Sequence, residues 1–309
     1  KNFLSSNKQT DKRTQMQYPL LQPWAFGGLF LIYLVMIALN LILIVIILCE
    51  KKLHKPVYIF LSHLLIMDIV VCTTILPRLM YSISENNVIT KHACFIQIFF
   101  LSFTATMQSY ILSIMAIDRY LAVCHPLRCN VLLTNSRAHK VIFLTICWSS
   151  LLASIYLVLL IGRTICKYPE IHKVCCINMA VAKLSCEDIT INSLYGIVQT
   201  CLINVTVIAV RSWKALHTCI THCLVLSLFL FSMVFAVTSL RMSSTNFFPQ
   251  YLQHGSDSLF YLVQPLVNPI IYGLRTTSSR TSVSIQLLPS RGMLNGYVLA
   301  GRNQNAQFG

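Results

Sequence analysis

Apolar runs as long as a bilayer is thick constrain this chain more than any other feature. A helix rises 1.5 Å per residue, so about 20 apolar residues cross roughly 30 Å of hydrocarbon, a layer in which only helices and closed barrels satisfy their backbone. Residues 26–48 form one such run, and others follow near 57–80, 94–120, 140–162, 190–210, 217–240 and 251–274. The fifth and seventh are the weakest. With 56% hydrophobic residues, 11% charged residues and a mean hydropathy of +0.68, the 309-residue chain has too little polar surface to cover a soluble globule. The expected fold is all-α: a tail at 1–25, seven transmembrane helices within 26–274, and a second tail at 275–309.

Periodicity inside the spans is uninformative, because lipid-facing and helix-facing positions are both apolar. No internal repeat points to the paired halves of a transporter, and no filter motif points to a channel. Residues 1–19 are polar and the first apolar run is a full span, so no cleavable signal peptide is expected.

A net charge of +15 would fit nucleic acid in a soluble chain; here it reports orientation. The links after the first and third spans carry Lys51, Lys52 and Lys55, then Arg119, Arg128, Arg137 and Lys140. Lys and Arg accumulate on the cytoplasmic side, which puts the N-terminus outside and the C-terminus, with Arg275, Arg280, Arg291 and Arg302, inside. The inner side holds 13 Lys and Arg against 11 outside, so the scarcity of inner acids, Glu50 and Asp118, carries much of the contrast.

Among 13 cysteines, Cys166, Cys176 and Cys186 recur every ten residues in the link after the fourth span, and Cys94 opens the third. All four fall on the outer side, where they can oxidise in any of three pairings. Cys175, next to Cys176, leaves the choice open by one residue. The other cysteines suit small apolar packing. No paired spacing of Cys or His calls for zinc.

Asn40, Asp68 and Asn268 lie within apolar spans. An ionisable group there costs about 2.5–3.5 kcal/mol to insert, so Asp68 is expected to face the bundle interior and hold a sodium ion or a water cluster where the three helices converge. The asparagines serve either as interhelical glue or in a switch. From Cys94 to Asp118 a helix rises about 36 Å, which puts Asp118 and Arg119 at the inner membrane edge. There Arg119 either snorkels to phosphates or is held by its neighbour until helices move. In "PLVNPIIYGLR" (265–275) two prolines each remove a donor and free a carbonyl, so the last span is expected to kink.

"LHKPVYIFLSHLLIMD" (53–68), "MAIDRYLAVCHPLRC" (115–129), "KALHTCITH" (214–222) and "NPIIYGLR" (268–275), in this order, resemble odorant receptors of the rhodopsin-like G-protein-coupled class. "LHKP", "KALHTC" and "NPIIYGLR" lean towards fish-type members. The resemblance runs from about Asn40 to Arg275 and implies disulfides Cys94–Cys176 and Cys166–Cys186. It also implies an inner switch of Asp118, Arg119 and Tyr120, with Asn268, Pro269 and Tyr272 as the moving end of helix 7. The implied activity is binding of a small odorant from outside and activation of a Gs-type olfactory G protein within, in the plasma membrane among its lipids, without catalysis, cofactor or nucleic acid. Helical counting from Cys94 places Leu101, Ser102, Ala105 and Thr106 in the odorant pocket, and counting from His222 adds Met233, Val234 and Val237. Arg241 and Asp257 are expected to pair with each other, or to hold an acid or an amine.

The fifth span departs from the family pattern. From Cys186 to Lys214 is 28 positions, where the family has roughly twenty more. Helix 5 and the third inner loop are therefore expected to be short, and Asn192, Gln199 and Asn204 interrupt the span. Leu230 replaces an aromatic residue of the helix 6 switch, and Gln108 replaces an acid near Asp68. The only Asn-x-Ser/Thr triplet is Asn204-Val205-Thr206, inside the span, and the C-terminal tail is expected to be disordered. A second reading follows: a non-signalling product of a damaged receptor gene, retained inside the cell.

Overall fold

The computed structural model describes residues 3–5, 21–84, 88–125, 133–164, 175–209, 227, 228, 231, 235 and 262–273. The chain divides into two compact units, Lys1–Pro269 and Ile270–Gly309. Of the second, residues 270–273 are described, and they are helical.

Helix α1 runs from Leu21 to Cys49 and stops at Glu50, where the charged "EKK" begins and a single 3-10 turn, Lys51–Leu53, redirects the chain. Helix α2, Pro56–Ser84, starts on a proline, whose fixed φ suits the first helical position. Helix α3, Lys91–Cys124, is capped by Thr90, whose side chain accepts from the Ala93 N–H. Its 34 residues reach about 51 Å, so both ends extend past the hydrocarbon layer. The fourth helix, α4, occupies Asn135–Val158 instead of the expected 140–162. It starts early because Thr134 caps the Arg137 N–H, and it ends early because the chain turns over residues 159–162, with Gly162 in the left-handed region at φ 86. Each of α1 to α4 is long and apolar enough to cross a membrane.

Helix α5, Thr190–Ala209, has 20 residues, about 30 Å and enough to cross the hydrocarbon. In the sixth span residues 227, 228, 231 and 235 are helical, and Phe231 stacks on Phe235. In the seventh, residues 262–273 are helical, and the remainder of the expected 251–274 lies outside the described residues.

Within the first unit α1 packs on α2, α2 on α3, and α3 on both α4 and α5. The buried face of α4 is Ala138, Ile142, Thr145, Ser149 and Ala153, spaced by three or four residues. These mostly small side chains let the backbones approach closely, which drives association where lipid gives no hydrophobic gain. The opposite face, Phe143, Leu144, Trp148 and Leu151, is exposed and suits acyl chains. Beside the start of α3 a short antiparallel pair joins β1, Phe3–Ser5, to β2, Val88–Thr90, with Leu4 opposite Ile89.

Candidate functional site

The buried polar residues gather at three depths. The middle group forms around Asp68 on α2, which is fully buried. Gln108 Nε2 on α3 donates to its Oδ1 at 2.8 Å, and Asn268 Nδ2 donates to its Oδ2 at 2.9 Å. One carboxyl group therefore ties three helices. Asn40 on α1 does not join it; its Nδ2 donates to the Met36 carbonyl at 2.8 Å and to the Pro265 carbonyl at 2.9 Å. The second bond has a covalent cause. In a helix the Pro265 carbonyl would accept from the N–H of residue 269, which is a proline and has none. Asn40 supplies the missing donor. The Oδ1 atoms of Asn40 and Asn268 are buried without a hydrogen-bond partner among the described residues.

Near the C-terminal end of α3 Asp118 is buried and Arg119 Nε lies 3.8 Å from its Oδ2. The Tyr120 ring meets His125 edge-on at 6.2 Å. Tyr272 lies in the second unit, within its described helical residues.

Near the N-terminal end of α3 Cys94 is bonded to Cys176, so the one-residue ambiguity with Cys175 resolves towards Cys176. Cys186 is also disulfide-bonded; Cys166, its expected partner, lies outside the described residues. Cys94 and Cys176 are packed with Ile98, Leu160, Val181, Ala182 and Leu184, so the loop between α4 and α5 folds into the bundle as a plug. Gln97 locks it: its Oε1 accepts from the Cys176 N–H at 2.9 Å while its Nε2 donates to the Thr74 carbonyl at 3.1 Å. The sequence reading missed Gln97; its position three residues after Cys94, on the same helical face, was the available signal. Free thiols take both environments, Cys72 buried against the Met36 sulfur and Cys49, Cys147 and Cys201 exposed on the bundle's outer faces.

The loop enters α5 through an Asx turn, in which Asp188 Oδ1 accepts from the Thr190 N–H at 2.9 Å and from its hydroxyl at 2.6 Å. The Thr190 hydroxyl first, then its N–H, hold Asp188 below the usual carboxylate range, with Arg163 adding a smaller attraction against slight desolvation. A folded-state value below the unfolded one gives stabilisation that is present above about pH 4 and lost as pH falls through the lowered value. Hydrogen exchange at the Thr190 amide is therefore expected to stay slow at neutral pH and to accelerate, beyond the intrinsic rate, only in acid below that point. Equal protection on both sides of the transition would remove the turn from the account of how α5 begins.

Of the residues expected to line a pocket, Leu101 packs against Val71, Ile75 and Cys175, towards α2 and the plug. Ser102 and Ala105 are half-buried. Thr106 is buried, donates to the Ser102 carbonyl, and accepts from Gln199 Nε2 of α5 at 3.0 Å. Met233, Val234, Val237, Arg241 and Asp257 lie outside the described residues. Asn192 and Gln199, which interrupt the fifth span, are both buried. Seven residues apart, they share one face two turns from each other, a signal the sequence offered.

Stacked apolar helices, a buried polar tie among them and a loop pinned by a disulfide define a multi-pass membrane helix bundle. A family profile described as "Olfactory receptor" matches residues 29–289. Olfactory receptor 56A4 of Homo sapiens is 32% identical over 282 residues, covering 85% of this chain and 90% of the relative. Olfactory receptor 56A5 of Homo sapiens is 31% identical, with 85% and 90% covered, and the olfactory receptor-like protein OLF4 of Canis lupus familiaris is 29% identical, with 86% and 92% covered. The chain belongs to the olfactory receptor family. Its fold is the seven-transmembrane bundle of that family, and it is a G-protein-coupled receptor of the plasma membrane and no enzyme.

Proposed function

We propose that the protein binds a small odorant from the outer side and, through its inner end, activates a Gs-type olfactory G protein. Family membership over most of the chain supports the receptor role, and the observation that carries the mechanism is the Asp68 tie. A carboxyl group shared by α2, α3 and the proline-bearing helix is a two-state element that ligand binding can bias, since any ligand shifts the equilibrium by its differential affinity for the two states. Asp118, Arg119 and Tyr120, with Asn268, Pro269 and Tyr272, are the residues read as the inner switch. Cys166 and Cys186 are the second outer disulfide of this reading. Met233, Val234 and Val237 join Leu101, Ser102, Ala105 and Thr106 around the odorant, with Arg241 and Asp257 paired nearby. The Asp68 oxygens and the unpartnered Oδ1 atoms of Asn40 and Asn268 supply the acceptors that a sodium ion or water cluster would use.

The 28 positions between Cys186 and Lys214 favour a second reading, a retained protein that does not signal. Tags at both ends, stained in intact and permeabilised cells, separate the two when read with cyclic AMP. The receptor reading expects the N-terminal tag on intact cells, the C-terminal tag only after permeabilisation, and an odorant-dependent rise in cyclic AMP that Arg119→Ala abolishes. Both tags on one side, or neither at the surface, with no response to a broad odorant panel, would establish the second.

A further inference from the structure

Among the described residues of the membrane-spanning helices three asparagines are buried, and one is unlike the others. Asn40 and Asn268 each commit their Nδ2 to an acceptor on another helix. Asn192, two residues into α5 and 0% exposed, leaves both Nδ2 and Oδ1 without a partner among the described residues. Two turns deeper on the same face, Gln199 gives its Nε2 to Thr106, which fixes the carboxamide and leaves Oε1 unpartnered. A buried amide with no hydrogen bond costs stability, so glue between helices does not explain Asn192. A guest that completes those bonds does.

Resting on the odorant reading, we infer that Asn192, with Gln199 below it, selects a neutral odorant whose polar end both donates and accepts a hydrogen bond, an alcohol or a primary amide. Asn192 offers one donor group and one acceptor, and Gln199 a second acceptor. The charge balance agrees. Residues 190–209 of α5, 95–117 of α3 and 141–158 of α4 contain no Asp, Glu, Lys, Arg or His. A carboxylate or ammonium ion lodged against this wall would meet no countercharge on these three helices. Much of the rest of these helices is apolar or bonded within its own helix, as Thr200 is to Gly196, or to a neighbouring one, as Tyr195 is to the Leu152 carbonyl, and suits a hydrocarbon tail.

The test uses purified full-length receptor in lipid nanodiscs and a series on one eight-carbon skeleton: octanol, octanamide, octanal, octane, octanoate and octylammonium. Binding is read as ligand-dependent thermal stabilisation. Octanol and octanamide are expected to bind at least about tenfold more tightly than the other four, because a site built to hydrogen-bond rejects analogues that leave its groups unpaired. Asn192→Leu is expected to erase that preference while the ligand-free protein melts no lower than wild type, since the substitution removes two unsatisfied groups. Gln199→Leu should weaken the preference partially. Equal binding of octane or of either ion by the wild type overturns the inference without recourse to a variant, as does an unchanged preference in a folded Asn192→Leu protein. If none of the six binds while another odorant raises cyclic AMP, this inference falls and the odorant reading stands; silence to every odorant overturns the reading itself.

Discussion

Replacing Cys94 and Cys176 together by serine is expected to cost about 4 kcal/mol and to clear the receptor from the cell surface. The bond closes a loop of 82 positions, and releasing a loop of that length returns entropy to the unfolded chain worth about 4–5 kcal/mol. The loss would not stay local. Both half-cystines are buried in one core cluster with Leu160, Val181 and Leu184, and the Cys176 N–H is the donor that holds the Gln97 carboxamide across to α2. Without the bond the plug can leave as a unit, taking the roof of the binding region with it. Surface staining and thermal melting of purified protein check this, with Cys147→Ser as the control, since that thiol is free and exposed. A double serine variant that melts with the control and reaches the surface normally would mean that packing alone seats the plug.

How much of this was written in the sequence differs between its parts. Apolar length alone locates α1 to α4, because a helix crossing lipid cannot be much shorter than the layer it crosses. Their ends are set by single side chains, and Thr134 and Gly162 shift α4 by several residues from the range that hydropathy assigns. Asp68 announces itself, since a carboxyl at that depth requires partners. Its partners do not: Gln108 reads as a departure from the family pattern until the fold turns it onto the carboxyl. The prolines of the last span foretell a freed carbonyl, but the choice of Asn40 as its donor depends on α1 lying alongside. Asn192 and Gln199 look like defects in a membrane span, and only their burial on one face shows that they point inward. Patterns within one helix are legible from sequence; pairings across helices are products of packing.

The second large effect is expected at Asp68. Asp68→Ala strands two buried donors, Gln108 Nε2 and Asn268 Nδ2, and each unsatisfied group costs about 1–3 kcal/mol, so a loss of about 2–6 kcal/mol follows. Asp68→Asn should fall between this variant and wild type, because it keeps one acceptor and turns an NH₂ towards one of the two donors. The test of a shared network is non-additivity. Asp68→Ala combined with Asn268→Ala should cost less than the two single changes summed, by about 0.5–3 kcal/mol, because the second substitution removes a donor that the first had already stranded. A purely additive result would mean that the carboxyl and the amide act separately and that the tie does not exist as a unit. The functional consequence follows from what the tie restrains. The helix that bears Asn268 is weakened one residue later at Pro269, and among the described residues of the first unit two polar attachments hold it, Asn268 to α2 and the Pro265 carbonyl to α1. Cutting one should leave the bend hinged on the other, so basal cyclic AMP in Asp68→Ala and in Asn40→Leu is expected to depart from wild type in opposite directions if the two attachments favour different states, and in the same direction if both favour one. An unchanged basal level in both variants, at equal surface expression, would remove these contacts from the switch and leave them a role in folding alone.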